Sequence, residues 1–334
     1  MKEIIVAGAG GFIGGHLTKA LNADGHKVRA VDIKPLNKWY QVHSGVDNMV
    51  LDLRIKENCY QAVNGCNEVF NLAADMGGMG FIETHKAACM LSVLINTHML
   101  MAAKDCGIDR FFYASSACVY NGEKQTDPNN PGLKESDAYP ALAEDGYGWE
   151  KLFSERMCRH FTEDFGLLTR VARFHNVFGP FGTYDGGREK APAAICRKVI
   201  EGKMLGRKDI VIWGDGHQTR SFMYIDDCIK GILDIMYSTI TEPINLGSSE
   251  MVSINRLVDY VEEIARYKLE RKYDLGAPKG VRGRNSENTL IKQYLGWEPS
   301  IPLKDGLKKT YDWISDEMIK SKGNNSKKAV FNEA

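Results

Sequence analysis

The chain has 334 residues, enough to bury a large core as one large domain or two intimate ones. Lys plus Arg and Asp plus Glu both number 43, so no general electrostatic attraction to nucleic acid or to an anionic membrane is available. Both are excluded as partners, whereas a small phosphate held by a few placed arginines is not. Met1-Lys2-Glu3 leads directly into Ile4-Ile5-Val6-Ala7, a run too short for a signal sequence, and no stretch approaches the length of a membrane span. The cysteines form no CxxC pair and have no histidine at zinc spacing. The expectation is therefore no metal site, and reduced, mostly buried thiols in a cytoplasmic protein.

In chain order the sequence predicts a strand over 3–8, a helix over 12–23, strands over 27–32, 48–52 and 68–73, a helix over 84–105, a strand over 110–116 and a helix over 147–165. Alternation of near-continuous apolar strands with helices implies an α/β fold of Rossmann type, a doubly wound parallel sheet covered on both faces. Further helices are predicted near 190–201, 226–237, 254–268 and 304–320. The expected division is a dinucleotide-binding domain over 1–172, with a segment near 215–247 returning to it. A smaller mixed α/β substrate lobe then takes 173–214 and 248–319, and the polar, aperiodic tail over 320–334 is expected to be mobile.

Strand 3–8 runs into Gly8-Ala9-Gly10-Gly11-Phe12-Ile13-Gly14, which opens a helix. Gly8, Gly11 and Gly14 permit a tight turn, close approach of backbone to a pyrophosphate, and close packing of helix on strand. The helix N-terminus then offers free N–H groups to the phosphates. Asp32 ends the next strand, where a carboxylate accepts the ribose hydroxyls of NAD and repels the extra phosphate of NADP; nearby Lys34 tempers that preference. The alternative for Asp32 is a solvated loop carboxylate. Asp52, ending the third strand, falls where an adenine contact would lie.

Tyr147 and Lys151 lie four apart in a helical segment and share one face. An ammonium near a phenol lowers the cost of phenolate, and the same lysine can hold the nicotinamide ribose. Tyr120 and Lys124 have the same spacing but lead into the turn-like NGEK, so no helix aligns them. Ser116 ends strand 110–116, at the sheet edge where parallel sheets place ligands, and can hydrogen-bond the hydroxyl that Tyr147 deprotonates. Alternation along an extended chain puts Cys118 on the same side as Ser116. A thiol there is either an acid/base group for carbon beside a ketone or an inert filler of the strand end.

Ser116, Tyr147 and Lys151 behind the glycine pattern resemble the extended short-chain dehydrogenase/reductase superfamily. The resemblance includes Asn71-Leu72-Ala73-Ala74, Asn96 and Leu295-Gly296-Trp297. It implies oxidation of a sugar C4 hydroxyl. The Asp-Glu pair that serves the dehydratases of its sugar-nucleotide branch is replaced here by Ala117 and Cys118. The stretches over 69–82, 111–120, 173–198, 213–222 and 280–292 resemble the plant-type GDP-mannose 3,5-epimerase family. That resemblance implies NAD as cofactor, a GDP-linked sugar as substrate, and C4 oxidation, proton exchange at C5 and C3, then C4 reduction, giving GDP-L-galactose or GDP-L-gulose.

The resemblance gives the acid/base roles to Cys118 and Lys190; Lys190 taken by itself is a surface lysine near a helix start. It adds Phe12, Ile13, Leu53 and Ala73 to the cofactor contacts, and Gly77, Ala117, Glu189 and Ala191 beside the sugar. Asn176, Lys198, Gln218, Arg220 and Arg284 would hold the nucleotide diphosphate, with Arg282 as the alternative to Arg284. His175 is read as a packed or hydrogen-bonded imidazole. A homodimer through the 84–105 and 147–165 helices is also implied. Tyr120 is followed by Asn-Gly where the plant pattern has Pro-Glu, and the segment between Lys198 and Trp213 is longer. The alternatives are epimerisation of a related GDP-sugar (a modified hexose, heptose or octose), a single-centre 4- or 5-epimerase, and a non-catalytic NAD-binding protein.

Overall fold

The computed structural model describes residues 2–278 and 280–331. Its strands are β1 (Glu3–Ala7), β2 (Lys27–Asp32), β3 (Asp47–Val50), β4 (Glu68–Asn71), β5 (Arg110–Ser116), β6 (Leu168–Phe174), β7 (Asn176–Phe178), β8 (Asp209–Trp213), β9 (Thr219–Tyr224), β10 (Ile244–Leu246), β11 (Met251–Ser253), β12 (Glu270–Asp274) and β13 (Gly283–Arg284). The helices are α1 (Phe12–Ala23), α2 (Lys56–Val63), α3 (Met79–Thr84), α4 (Lys86–Met90), α5 (Ser92–Asp105), α6 (Asp145–Phe165), α7 (Ala191–Leu205), α8 (Ile225–Tyr237), α9 (Ile254–Ala265), α10 (Thr289–Leu295) and α11 (Leu303–Phe331).

Seven strands form one parallel sheet in the order β10-β6-β5-β4-β1-β2-β3. The central stretches of its strands are apolar on both faces because both faces are covered. Ile4 and Val6 of β1 join one core and Ile5 and Ala7 the other; Phe112 and Phe111 of β5 divide in the same way. The order reverses between β1 and β4, which opens a crevice at their carboxyl ends. A second sheet carries β11-β9-β13 with β7 also on β9, and β8 pairs with β12.

Five sequence expectations change. The segment expected to return near 215–247 divides: β9 joins the second sheet, and α8 and β10 return to the first. The fourth strand stops at Asn71, where the chain leaves the sheet edge. The single helix expected over 84–105 is interrupted at His85 (φ −126°, ψ 41°) and at Leu91, and is preceded by α3. Lys86–Asp105 is nevertheless long and apolar enough, by composition, to cross a membrane, where no stretch of that length was expected. It packs between α2 and α6 beside the sheet. The tail expected to be irregular continues α11 to Phe331, since a helix anchored by buried Leu303, Leu307 and Ile314 propagates at little further cost; residues 332–334 lie outside the described residues.

Helix α6 is fastened to the sheet by a buried ion pair. Arg173 of β6 donates from Nε and Nη2 to the two Glu155 carboxylate oxygens at 2.9 and 2.8 Å, and from Nη1 to the Glu135 carbonyl at 2.6 Å. Ser115 Oγ of β5 also donates to Glu155, at 2.5 Å. Removing one partner strands the other charge in the core. Glu155→Ala should therefore cost about 3–5 kcal/mol, read as a lowered urea midpoint; an unchanged midpoint would show the pair to be dispensable.

Candidate active site

The crevice between β1 and β4 is built for close approach of backbone. Gly8 has φ +85°, and a Cβ on Gly14 would lie 2.2 Å from the Gly8 carbonyl oxygen, so the turn requires glycine at both positions. Gly11 caps α1 without a side-chain hydrogen bond, which leaves the first amides of the helix for an anion. Ala73 faces Gly8, and Leu53 is buried at the end of the third crossover. Phe12 packs beneath Gly179 and Gly182, and Ile13 packs against the larger core. Asp32 is buried at the end of β2, and its Oδ1 accepts from the Lys34 N–H at 2.9 Å. Lys34 Nζ turns to the Gly10 carbonyl (3.2 Å). These residues fit a dinucleotide, with the pyrophosphate on α1 and the adenosine ribose on Asp32. The Asp52 carboxylate is engaged by Arg54 at 2.7 Å, which holds it below the usual carboxylate range, so an adenine contact from that side chain would first have to part the pair.

At the reacting end the extended alternation expected for Ser116 and Cys118 does not hold. The chain turns into a single 3₁₀ turn, Ala117–Val119, and it is this turn that keeps the two side by side, with Cys118 N–H donating to Ser116 Oγ at 3.2 Å. The Glu144 N–H donates to the Cys118 carbonyl at 2.9 Å, and a Cβ on Gly148 would come within 2.3 Å of that same oxygen. Strand end and helix start are thereby pressed together, which brings Tyr147 and Lys151 of α6 to Ser116.

Lys151 Nζ lies 5.5 Å from the Tyr147 ring centroid and donates to Tyr113 Oη at 3.1 Å. Tyr113 Oη in turn donates to Glu150 Oε1 at 3.0 Å. Burial pushes the Tyr147 phenol well above its ordinary range, with Cys118 and Glu150 adding to the rise and Ser116 opposing it. Tyr120 and Lys124 serve elsewhere: Tyr120 donates to Asn245 Oδ1 in the core, and Lys124 pairs with Asp137.

Cys118 is buried, and burial first, then the Glu144 charge, push its thiol up to about 11 against the pull of Arg284. Lys190, half-buried at the start of α7, is lowered by burial, and Cys118 is the first of the charges that oppose the fall. The two groups proposed for proton exchange thus lie within electrostatic reach of each other, from different parts of the chain.

Arg284 Nε donates to Gln125 Oε1 (2.6 Å), Nη1 to Cys118 Sγ (3.7 Å) and Nη2 to Glu144 Oε1 (2.5 Å). Its guanidinium thus lies against the thiol, a correction to the sequence expectation that it holds the nucleotide diphosphate. Arg282 is held by Asp215 at 3.0 Å, away from Cys118. Arg220 is the register neighbour of Arg284 across β9 and β13, and burial lowers it to about 10. Asn176 Nδ2 donates to the Ser221 carbonyl (3.2 Å), and Gln218 Nε2 to the Trp213 carbonyl (2.7 Å), leaving Gln218 Oε1 buried without a partner among the described residues. Lys198 stands on α7, donating to the Val211 carbonyl (2.8 Å).

Two glycine-rich loops close over this region. Arg188 donates to Asp75 Oδ1 at 2.7 Å and to the Met76 carbonyl at 3.1 Å, and Gly78 N–H donates to the Arg188 carbonyl at 3.0 Å. That tie sets Gly77 near the Glu189-Lys190-Ala191 segment, because a Cβ on Gly78 would lie 2.5 Å from the Glu189 carbonyl oxygen. His175 is buried on Asn245 Oδ1 at 3.1 Å and lowered by burial to about 3, a neutral packed imidazole. Sequence reasoning missed Tyr113, Gln125, Glu144, Glu150 and Arg188. None sits in a recognisable pattern; only the fold brings them to the site.

The model of the NAD dependent epimerase/dehydratase family matches residues 4–247. GDP-mannose 3,5-epimerase 1 of Oryza sativa subsp. japonica is 48% identical over 321 residues, covering 96% of this chain and 83% of that protein. UDP-glucuronic acid 4-epimerase from Bacillus cereus, solved with UDP-glucuronic acid and NAD, superposes with a TM-score of 0.80 at 25% identity, over 94% of this chain and 99% of that one. UDP-glucose 4-epimerase from Thermotoga maritima, solved with UDP-glucose, gives a TM-score of 0.85 at 24% identity over 95% and 99% and speaks for the fold alone. By the family match and the extent of the plant relationship, the chain belongs to the NAD dependent epimerase/dehydratase family, in the group of sequences that includes the plant GDP-mannose 3,5-epimerases.

Proposed function

We propose that this protein is a GDP-mannose 3,5-epimerase, converting GDP-mannose to GDP-L-galactose with NAD as resident cofactor. What supports the proposal is that Cys118 is bonded beside Ser116 in the turn that α6 presses upon, with Lys190 close enough to feel the charge of that thiol. A 4-epimerase needs only the last three; a second acid/base pair is what proton exchange at carbon requires.

The N-terminus of α1 and Asp32 would hold NAD, which would supply hydride acceptance from C4 and its return. Tyr147, steadied by Ser116 and by the Lys151 charge, takes the proton from the C4 hydroxyl. The resulting ketone acidifies the C–H bonds at C3 and C5. One of Cys118 and Lys190 removes a proton there and the other delivers one, with the intervening electron pair delocalised as an enolate. Tyr147 then returns its proton as C4 is reduced. Asn176, Lys198, Gln218 and Arg220 are the proposed holders of the nucleotide diphosphate; arginine suits phosphate oxygens through its planar fork.

We also propose a cytoplasmic homodimer. The unpaired cysteines support a reducing compartment. Met90, Leu91 and Leu94 of α4–α5 and Trp149 and Phe153 of α6 are exposed on neighbouring helices, and an apolar face of this kind suits a two-fold contact.

Three measurements test these readings. Incubation with GDP-mannose in D₂O, without added NAD, should place deuterium at both C3 and C5; label at one carbon alone would mark a single-centre epimerase, and none at either would remove the proposal. Cys118→Ala should keep its bound NAD and lose exchange by roughly 10²-fold or more, whereas unchanged exchange would leave the thiol as packing. Phe153→Arg should turn a dimer into a monomer by light scattering; an unaltered mass would contradict the proposed contact.

A further inference from the structure

One buried acceptor beside the reacting thiol takes no part in the steps above. Glu144 immediately precedes α6. Its N–H is bonded to the Cys118 carbonyl at 2.9 Å, and its Oε1 accepts from Arg284 Nη2 at 2.5 Å. The neighbouring nitrogen of the same guanidinium, Nη1, lies 3.7 Å from Cys118 Sγ. One arginine therefore holds the thiol and the carboxylate side by side. Glu144 Oε2 is buried and has no hydrogen-bond partner among the described residues. Leaving a carboxylate oxygen desolvated and unpaired is costly, and such groups persist where they have work to do. Glu144 also lines a cleft of about 440 Å³ with Met79, Glu83, Leu275, Gly280 and Val281, and Leu275 on its rim is exposed. Cys118 does not reach that cleft. Glu144 stands between the two.

Inversion at a carbon by two groups leaves the base protonated and the acid deprotonated, so both must be reset. A thiol buried this deeply exchanges its proton most directly through a neighbouring side chain. Facing the pair are Tyr147 from α6, Lys190 from the start of α7, Arg220 from β9, Arg284 from β13 and Glu83 from α3. Glu144 is the carboxylate bonded both to the Cys118 segment and to the arginine that holds the thiol.

We infer that Glu144 is a positioning and proton-relay residue that carries protons between Cys118 and the cleft. The Cys118 S–H bond breaks and the proton passes to Glu144 Oε2, leaving the electron pair on sulfur as a thiolate facing Arg284. The thiolate then takes a C–H proton from the ketosugar, whose electron pair passes into the enolate. Glu144 releases its proton to water in the cleft and is ready to receive the next. With burial holding the thiol up near 11, thiolate forms only as its proton leaves to a neighbouring group, and Arg284 is the cation beside it when it does. This inference rests on the proposed epimerisation.

Glu144→Gln tests it, because glutamine still accepts from Arg284 but takes up no proton. Exchange at C3 and C5 would be followed against pH for both proteins, with bound NAD and single-turnover C4 oxidation measured alongside. The relay predicts that exchange near neutrality falls roughly 10²-fold, that C4 oxidation stays within about twofold, and that residual exchange climbs with pH as hydroxide substitutes for the missing base. If the carboxylate merely raised the thiol pKa, its removal would make neutral exchange equal or faster and shift the climb to lower pH; that result overturns the relay. Parallel loss of NAD, C4 oxidation and exchange would show a structural carboxylate and overturn it too. Absence of exchange in the unaltered protein would instead remove the epimerase reading on which the relay depends.

Discussion

The contact on which the site depends is a backbone one, the Glu144 N–H on the Cys118 carbonyl, with Gly148 packed against the same oxygen. It joins the turn after β5 to the first turn of α6. Neither element makes a site alone. The strand end supplies Ser116 and Cys118, and the helix supplies Tyr147 and Lys151. A side chain at Gly148 would push the helix away from the strand and separate the serine from its tyrosine. The buried Arg173–Glu155 pair fixes the same helix further along, so α6 has little freedom to slide.

Around this junction, burial sets the chemistry. It raises the Tyr147 phenol and the Cys118 thiol and lowers the Lys190 ammonium. Each ionised form is then unfavourable until a neighbour of opposite charge offsets the desolvation. Lys151, itself tied to Tyr113 and Glu150, is the positive charge beside the phenol, 5.5 Å from its ring centroid. Arg284, tied to Gln125 and Glu144, supplies it for the thiol. The two catalytic functions, making a ketone and exchanging protons beside it, thus have separate supports. The first is built within the parallel sheet and α6. The second is completed by β13 and the start of α7, which belong to the later part of the chain.

Much of the first support was legible in the sequence. Glycine spacing after β1, Asp32 at the end of β2, and Tyr147 and Lys151 one helical turn apart all follow from local rules. The second support was legible only as a resemblance. Ala117-Cys118-Val119 contains no turn-forming residue, so the chain reads as extended strand; the turn exists because the segment packs under α6. Glu144 and Gln125 carry no motif, and their role depends on Arg284, far away in sequence. Arg284 itself fits a phosphate clamp as well as a thiol partner until its three hydrogen bonds are seen. The break at Leu91 was likewise invisible, since the 86–105 stretch keeps its apolar character across it.

The central claim is that a C4 ketone exists only in passing, and that the hydrogen removed from C4 returns to C4 while those at C3 and C5 are traded with solvent. GDP-mannose labelled with deuterium at C4 tests it most directly. The account predicts that product formed in ordinary water keeps the label at C4 through many turnovers, with no reduced nicotinamide released. Loss of the C4 label to solvent, or steady accumulation of a ketosugar, would contradict it.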